Sequence, residues 1–203
     1  MRKFERAGWA IGLGVFLCTL GFVFGRSGAS TSGKDEAAAA RRQAKEKAMV
    51  LASARFTVQD WRGADEEYTK AIEADPDDWS TWHGRALARV GIGDFAIALS
   101  DFDRAVELNG SMANLYDHRG VAKAKLGRYE GAVSDFSQAI AMKPNEGGYH
   151  LHRAQALEHR GDLDAALSDY GKAVALIQPL DFMHQVASQR LSALKARRSR
   201  TYY

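Results

Sequence analysis

Gly93-Asp94-Phe95-Ala96-Ile97-Ala98-Leu99-Ser100-Asp101-Phe102-Asp103-Arg104-Ala105-Val106 is the stretch whose reading decides the fold. Thirty-four residues later it returns as Gly127-Arg128-Tyr129-Glu130-Gly131-Ala132-Val133-Ser134-Asp135-Phe136-Ser137-Gln138-Ala139-Ile140. After thirty-four more it is Gly161-Asp162-Leu163-Asp164-Ala165-Ala166-Leu167-Ser168-Asp169-Tyr170-Gly171-Lys172-Ala173-Val174. A fainter copy precedes all three, in Gln59-Asp60-Trp61, Ala64, Glu67, Tyr68, Ala71, Ile72 and Pro76. A fixed period of this length marks a repeat array, in which each unit buries its apolar face against its neighbours.

Aligned on that period, four copies span 45–78, 79–112, 113–146 and 147–180. The eighth position is small (Ala52, Ala86, Gly120, Ala154), and the twentieth is alanine (Ala64, Ala98, Ala132, Ala166). The twenty-fourth is aromatic (Tyr68, Phe102, Phe136, Tyr170), and the twenty-seventh is alanine again (Ala71, Ala105, Ala139, Ala173). Small residues let two helices approach closely, and the ring fills the space that remains. Gly93, Gly127 and Gly161 suit helix C-termini, and Pro76, Gly110 and Pro144 supply a second break.

This pattern resembles the tetratricopeptide repeat, a helix-turn-helix unit. The resemblance implies an all-α, right-handed superhelical array of about four repeats, in register over 45–180. A further helix at 181–198, with Val186, Ala187, Arg190, Leu191 and Leu194 along one side, resembles the capping helix of such arrays. Residues 199–203 form a tail. Lys195, Arg197, Arg198 and Arg200 are basic and read as a solvated end, with an anionic lipid surface as the competing reading.

Departures from the family pattern are informative. The seventh position, usually leucine in the family, is Leu51 in the first copy and Arg85, Arg119 and Arg153 in the others. The twenty-third changes with it, from Glu67 to Asp101, Asp135 and Asp169. The joint change predicts Arg–Asp pairs, either between the two helices of a repeat or between adjacent repeats. The repeated acidic partner favours this over an anion site along the arginines. At the eleventh position Arg55, Arg89, Lys123 and Leu157 replace the usual tyrosine. The cationic stems are expected to cover apolar surface while their heads reach water.

In the family, the second, fifth, ninth and twelfth positions of each first helix line a concave groove. The resemblance therefore offers Met49, Phe56, His83, Leu87, Val90, Asn114, Asp117, Val121, Leu151, Gln155 and Glu158 as partner-binding residues. An apolar floor with scattered polar groups suits a peptide or helix with apolar anchors. The same residues could instead pack between repeats, and the sequence leaves both open. Some family members clamp chaperone C-terminal carboxylates with Lys, Asn and Arg. The clamp positions here read Met49, Ser53, Gly84, Asn114 and His118, or one repeat on His83, Leu87, His118, Gly148 and His152. Neither set supplies the cations, so a chaperone tail is disfavoured.

Before the repeats, residues 1–6 carry Arg2, Lys3 and Arg6, and residues 7–25 carry no charge. About nineteen helical residues span roughly 28 Å, close to a bilayer core. This length favours an uncleaved transmembrane signal-anchor helix over a cleaved signal peptide, for which Ser27-Gly28-Ala29 offers a site. The short cationic tail is expected to stay in the cytoplasm. That places the repeats on the non-cytoplasmic side, periplasmic if the cell is bacterial. Residues 26–33 read as a flexible Ser/Gly linker, and 34–44 as a leading helix with acidic residues first and basic ones later.

Composition excludes more than it assigns. A net charge of +3 from 28 basic and 25 acidic residues gives no electrostatic case for nucleic acid. Cys18 is alone, so an intramolecular disulfide is impossible. The histidines His83, His118, His150, His152, His159 and His184 show no metal-ligand spacing, and no nucleophile or phosphate-loop motif occurs. No cofactor and no enzymatic activity are expected. The expected function is a membrane-anchored scaffold or adaptor that binds a protein or peptide in its groove. The alternative is a structural or assembly subunit that uses its outer faces and anchor helix.

Overall fold

The computed structural model describes residues 33–201. Among the described residues there are nine helices and no strand: α1 (Gly33–Thr57), α2 (Trp61–Ala74), α3 (Trp79–Ile92), α4 (Phe95–Leu108), α5 (Ala113–Lys125), α6 (Tyr129–Met142), α7 (Gly147–Arg160), α8 (Leu163–Leu176) and α9 (Phe182–Thr201). The expected span at 7–25, with the tail before it and residues 26–32 after it, lies outside the described residues. No helix among those described is long and apolar enough to cross a membrane.

Local chemistry sets the helix ends. Asp60 accepts from the Gly63 N–H and Asp78 from the Ser80 N–H, each satisfying an orphan donor of the first turn. Within the later repeats the turn between helices is left-handed at Gly93, Gly127 and Gly161, with φ of 97°, 73° and 98°. The first repeat makes the same turn with Gln59 at φ 60°. The leading helix and the first helix of repeat one are a single element, α1, whose residues 33–44 are exposed throughout.

Each helix packs on the next along the chain. In addition α3 touches α5, α5 touches α7 and α7 touches α9, so the first helices of the pairs form the inner wall. The core is built from the alanine–aromatic pattern. Tyr68 clusters with Ala52 and Ala64 of its own repeat and Ala88 of the next. Phe102 does the same with Ala86, Ala98 and Ala122, and Phe136 with Ala132 and Ala156. Tyr170 packs with Ala154, Ala166 and, from α9, Ala187 and Leu194. Thus α9 covers the last repeat. It stays helical to Thr201, three residues beyond the expected boundary at 198.

Candidate functional site

Arginine struts hold the inner helices in register. Arg85 donates through Nε and Nη2 to the two carboxylate oxygens of Asp101, at 3.0 and 2.8 Å. Arg119 grips Asp135 at 2.9 and 2.7 Å, and Arg153 grips Asp169 at 2.6 and 2.9 Å. The third guanidinium nitrogen, Nη1, reaches back to the preceding repeat, to Thr69 Oγ1, Asp103 Oδ1 and Ser137 Oγ in turn. The paired carboxylate is therefore in the same repeat in all three cases, and the contact with the preceding repeat goes to a different residue, a hydroxyl twice and Asp103 once. Burial would lower the Arg119 pKa, but Asp135 and Asp103 outweigh it and raise it above the ordinary value.

The eleventh-position heads do not all reach water, contrary to expectation. Arg89 donates to Asp101 Oδ2 at 2.7 Å and to Asp65 Oδ1 at 2.6 Å, and Lys123 Nζ lies 2.7 Å from Asp135. Asp101 and Asp135 are buried carboxylates, and a second cation helps to offset their desolvation. In the fourth repeat the eleventh residue is the buried Leu157, and His150 stands 3.3 Å from Asp169 instead. Only Arg55 points outward, to the exposed Asp60.

With the wall so fixed, the candidate groove residues differ in their setting. Met49, Phe56, Leu87, Val90 and Val121 are half-buried, packed at the edges of the aromatic clusters. Leu151 and Asp117 are buried; α9 helps to cover Leu151, and Asp117 is held by His152. Val121, Gln155 and Glu158 line a cavity of about 820 Å³ that extends to α9. Asn114 Oδ1 is a buried acceptor with no hydrogen-bond partner among the described residues.

His83 belongs to a strip of imidazoles that sequence reasoning did not assemble. His83 Nε2 and His118 Nδ1 share a 2.8 Å hydrogen bond, and the rings lie edge to edge and nearly coplanar, with centroids 5.1 Å and planes 9° apart. One repeat on, His152 Nδ1 and Asp117 Oδ1 make the same fifth-to-sixth-position link at 2.7 Å. Phe102 backs the first pair, and Phe136 backs His152. Burial, reinforced by His118, lowers the His83 pKa to about 4. Burial also lowers that of His118, against the pull of Asp117. At neutral pH His83 is uncharged. No cluster of three or more His, Cys, Asp or Glu among the described residues could hold a metal ion.

At the other end, α1 overhangs a second cavity of about 930 Å³ lined by Arg41, Arg42, Lys45 and Met49. Lys45 bridges Asp75 and Asp78 there at 2.7 and 2.6 Å, closing the first repeat against its own inter-repeat turn.

Comparison with known proteins agrees with this architecture. The family model described as tetratricopeptide repeat matches residues 49–113 and 118–180, more than half of the chain. No curated protein sequence matches it. The crystal structure of MamA protein is similar at 20% identity and a TM-score of 0.69, covering 75% of this chain and 81% of that one. YrrB, described as a repeat protein of the same kind with an unusual peptide-binding site, aligns at 21% identity and a TM-score of 0.65, covering 80% and 85%. The first such domain of Spaghetti (RPAP3), bound to the HSP90 peptide SRMEEVD, aligns at 29% identity and a TM-score of 0.55, covering 58% and 95%.

Proposed function

This chain belongs to the tetratricopeptide repeat family, and from that premise we propose that its inner groove binds a peptide or protein partner. Proteins of this family are protein–protein interaction scaffolds, and structural neighbours bind peptides. The observation that carries the reading is the set Met49, Phe56, Leu87, Val90 and Val121. These are apolar side chains left half-buried on one wall, while the alanine–aromatic core behind them is closed. A wall of this kind suits apolar anchors on a bound segment. The chaperone tail bound by the RPAP3 domain is disfavoured here, because Met49, Ser53, Gly84, Asn114 and His118 include no lysine or arginine.

The uncharged segment 7–25 completes the proposal as a membrane anchor, with the repeats on the non-cytoplasmic side. Its test is the mass of the mature protein in the membrane fraction. A species shortened by about twenty-five to thirty residues, as signal cleavage gives, overturns the anchor. Proteins of this fold are in general non-enzymatic scaffolds, and catalysis forms no part of the proposal.

Leu180, 96% exposed in the turn before α9, and Phe182, 74% exposed at its first residue, favour a second reading. In it the molecule is an assembly subunit that makes its contacts outside the groove. Cross-linking from native membranes separates the two. Leu87→Asp and Val121→Asp are expected to lose the partner with helicity intact. Retained capture, with loss on Leu180→Asp and Phe182→Asp, overturns the groove.

A further inference from the structure

The tenth position of each first helix closes the array at one recurring point. Ala88, Ala122 and Ala156 stand there, each in the cluster of the preceding repeat's aromatic ring. Thirty-four residues beyond Ala156 the sequence places Arg190. At that position α9 thus carries an arginine, while Ala187 and Leu194 cover the buried Tyr170 ring, and Arg190 lines the 820 Å³ cavity. The second departure is in the backbone. Repeats two to four turn back at Gly93, Gly127 and Gly161, whereas α9 runs straight on through Lys195, the next residue in that series. Its continuation brings Arg197 to the same cavity.

The cavity has Phe136, Ala156 and Tyr170 among its lining residues, and Lys125, Arg190 and Arg197 contribute its cations. Its acid is Glu158. Tyr170 donates to Glu158 Oε2 at 2.7 Å, and Arg190 lies 3.6 Å from Oε1. Burial and that carboxylate together raise the Tyr170 pKa, which keeps the phenol a donor. From α8 the facing acid is Asp164, 3.2 Å from Arg198. The whole of α9 carries Arg190, Lys195, Arg197, Arg198 and Arg200 and no acidic residue. The imidazoles of His152 and His159 complete the polar rim, the latter stacked on Tyr129. Among the residues that line the cavity, Lys125, Arg190 and Arg197 face the single carboxylate of Glu158.

We propose that this cavity receives an acidic side chain of the bound polypeptide, with its carboxylate held by Arg190 and Arg197 of α9. The proposal rests on the groove reading and gives the partner its chemistry: apolar anchors toward Leu87 and Val121, then glutamate or aspartate toward α9. Guanidinium groups suit this task because their planar fork matches a carboxylate.

The test uses the detergent-solubilised full chain and two fluorescein-labelled peptides. Both carry a leucine anchor, followed by Glu-Glu in one and by Gln-Gln in the other. Anisotropy is expected to show at least tenfold tighter binding of the Glu-Glu peptide, weakening as salt rises. Arg190→Gln removes that preference and leaves the Gln-Gln peptide unchanged. Equal binding of the two peptides, or a preference that survives both Arg190→Gln and Arg197→Gln, overturns the carboxylate site, as does failure of both to bind. If both bind equally and Leu87→Asp abolishes both, the groove stands and the acidic subsite alone falls. If Leu87→Asp and Val121→Asp change neither, the groove reading falls as well.

Discussion

Arg119 and Asp135 are joined by two parallel bonds, and the same carboxylate also meets Lys123 at 2.7 Å. Asp135 is 4% exposed, so its charge is tolerated only because both cations reach it. Asp135→Ala leaves two partly buried cations without that partner. Loss of one member of a buried ion pair typically costs about 3–5 kcal/mol, and urea unfolding should show a loss of that order. The exposed pair Arg104–Glu107 is the contrast. Its removal should change stability by less than about 1 kcal/mol.

The partly buried His83 makes stability depend on pH. The His83 pKa falls from 6.5 to about 4 on folding, so between these values the unfolded chain binds more protons. Stability therefore drops as pH falls through that window and is fully present above it. Replacing the imidazole by the non-titrating ring in His83→Phe removes this contribution. Between pH 7.5 and 4.5 the wild type should lose roughly 2 kcal/mol more than the variant. Equal losses, measured by denaturant unfolding at the two pH values, would place the acid sensitivity elsewhere.

Two glycine substitutions should have opposite signs. A Cβ on Gly120 would meet Phe136 Cε1 at 2.7 Å, and that ring is 1% exposed with no room to retreat. Overpacking costs about 1–3 kcal/mol, against a helix-propensity gain of up to about 1 kcal/mol. Gly120→Ala should therefore destabilise by about 1 kcal/mol. A Cβ on Gly171 meets nothing within 4 Å. Gly171→Ala keeps the propensity gain alone and should stabilise by about 0.5–1 kcal/mol. Thermal melts of the two variants decide both.

The fold was legible because the same chemical solution is written several times. Ala52, Ala64 and Tyr68 recur in register, so no single position had to be read correctly. The Arg–Asp struts were legible for a related reason: Leu51 and Glu67 change together, as pairing requires. The histidine links were not. They join the fifth position of one repeat to the sixth of the next, an offset of thirty-five that neither the repeat period nor the helical period picks out. The heads of Arg89 and Lys123 were misassigned to water because the burial of Asp101 and Asp135 is a tertiary fact. The basic end of α9 looked like a solvated tail because nothing local to Arg197 shows that its helix continues to the groove cavity.

The reach-back of each guanidinium to the preceding repeat bears on how the array breathes. Repeats one to four are laced through Arg85, Arg119 and Arg153, so opening at one of those joints disturbs the next. The lacing stops at both extremities. In α1 the corresponding residue is Leu51, 40% exposed, and α9 is joined by the 3.6 Å Arg190–Glu158 and 3.2 Å Arg198–Asp164 contacts, with Arg190 and Arg198 more than half exposed. Amide exchange in such a molecule proceeds from the extremities inward. The scaffold is a stiff spine of seven helices, α2 to α8, with a yielding helix at either end.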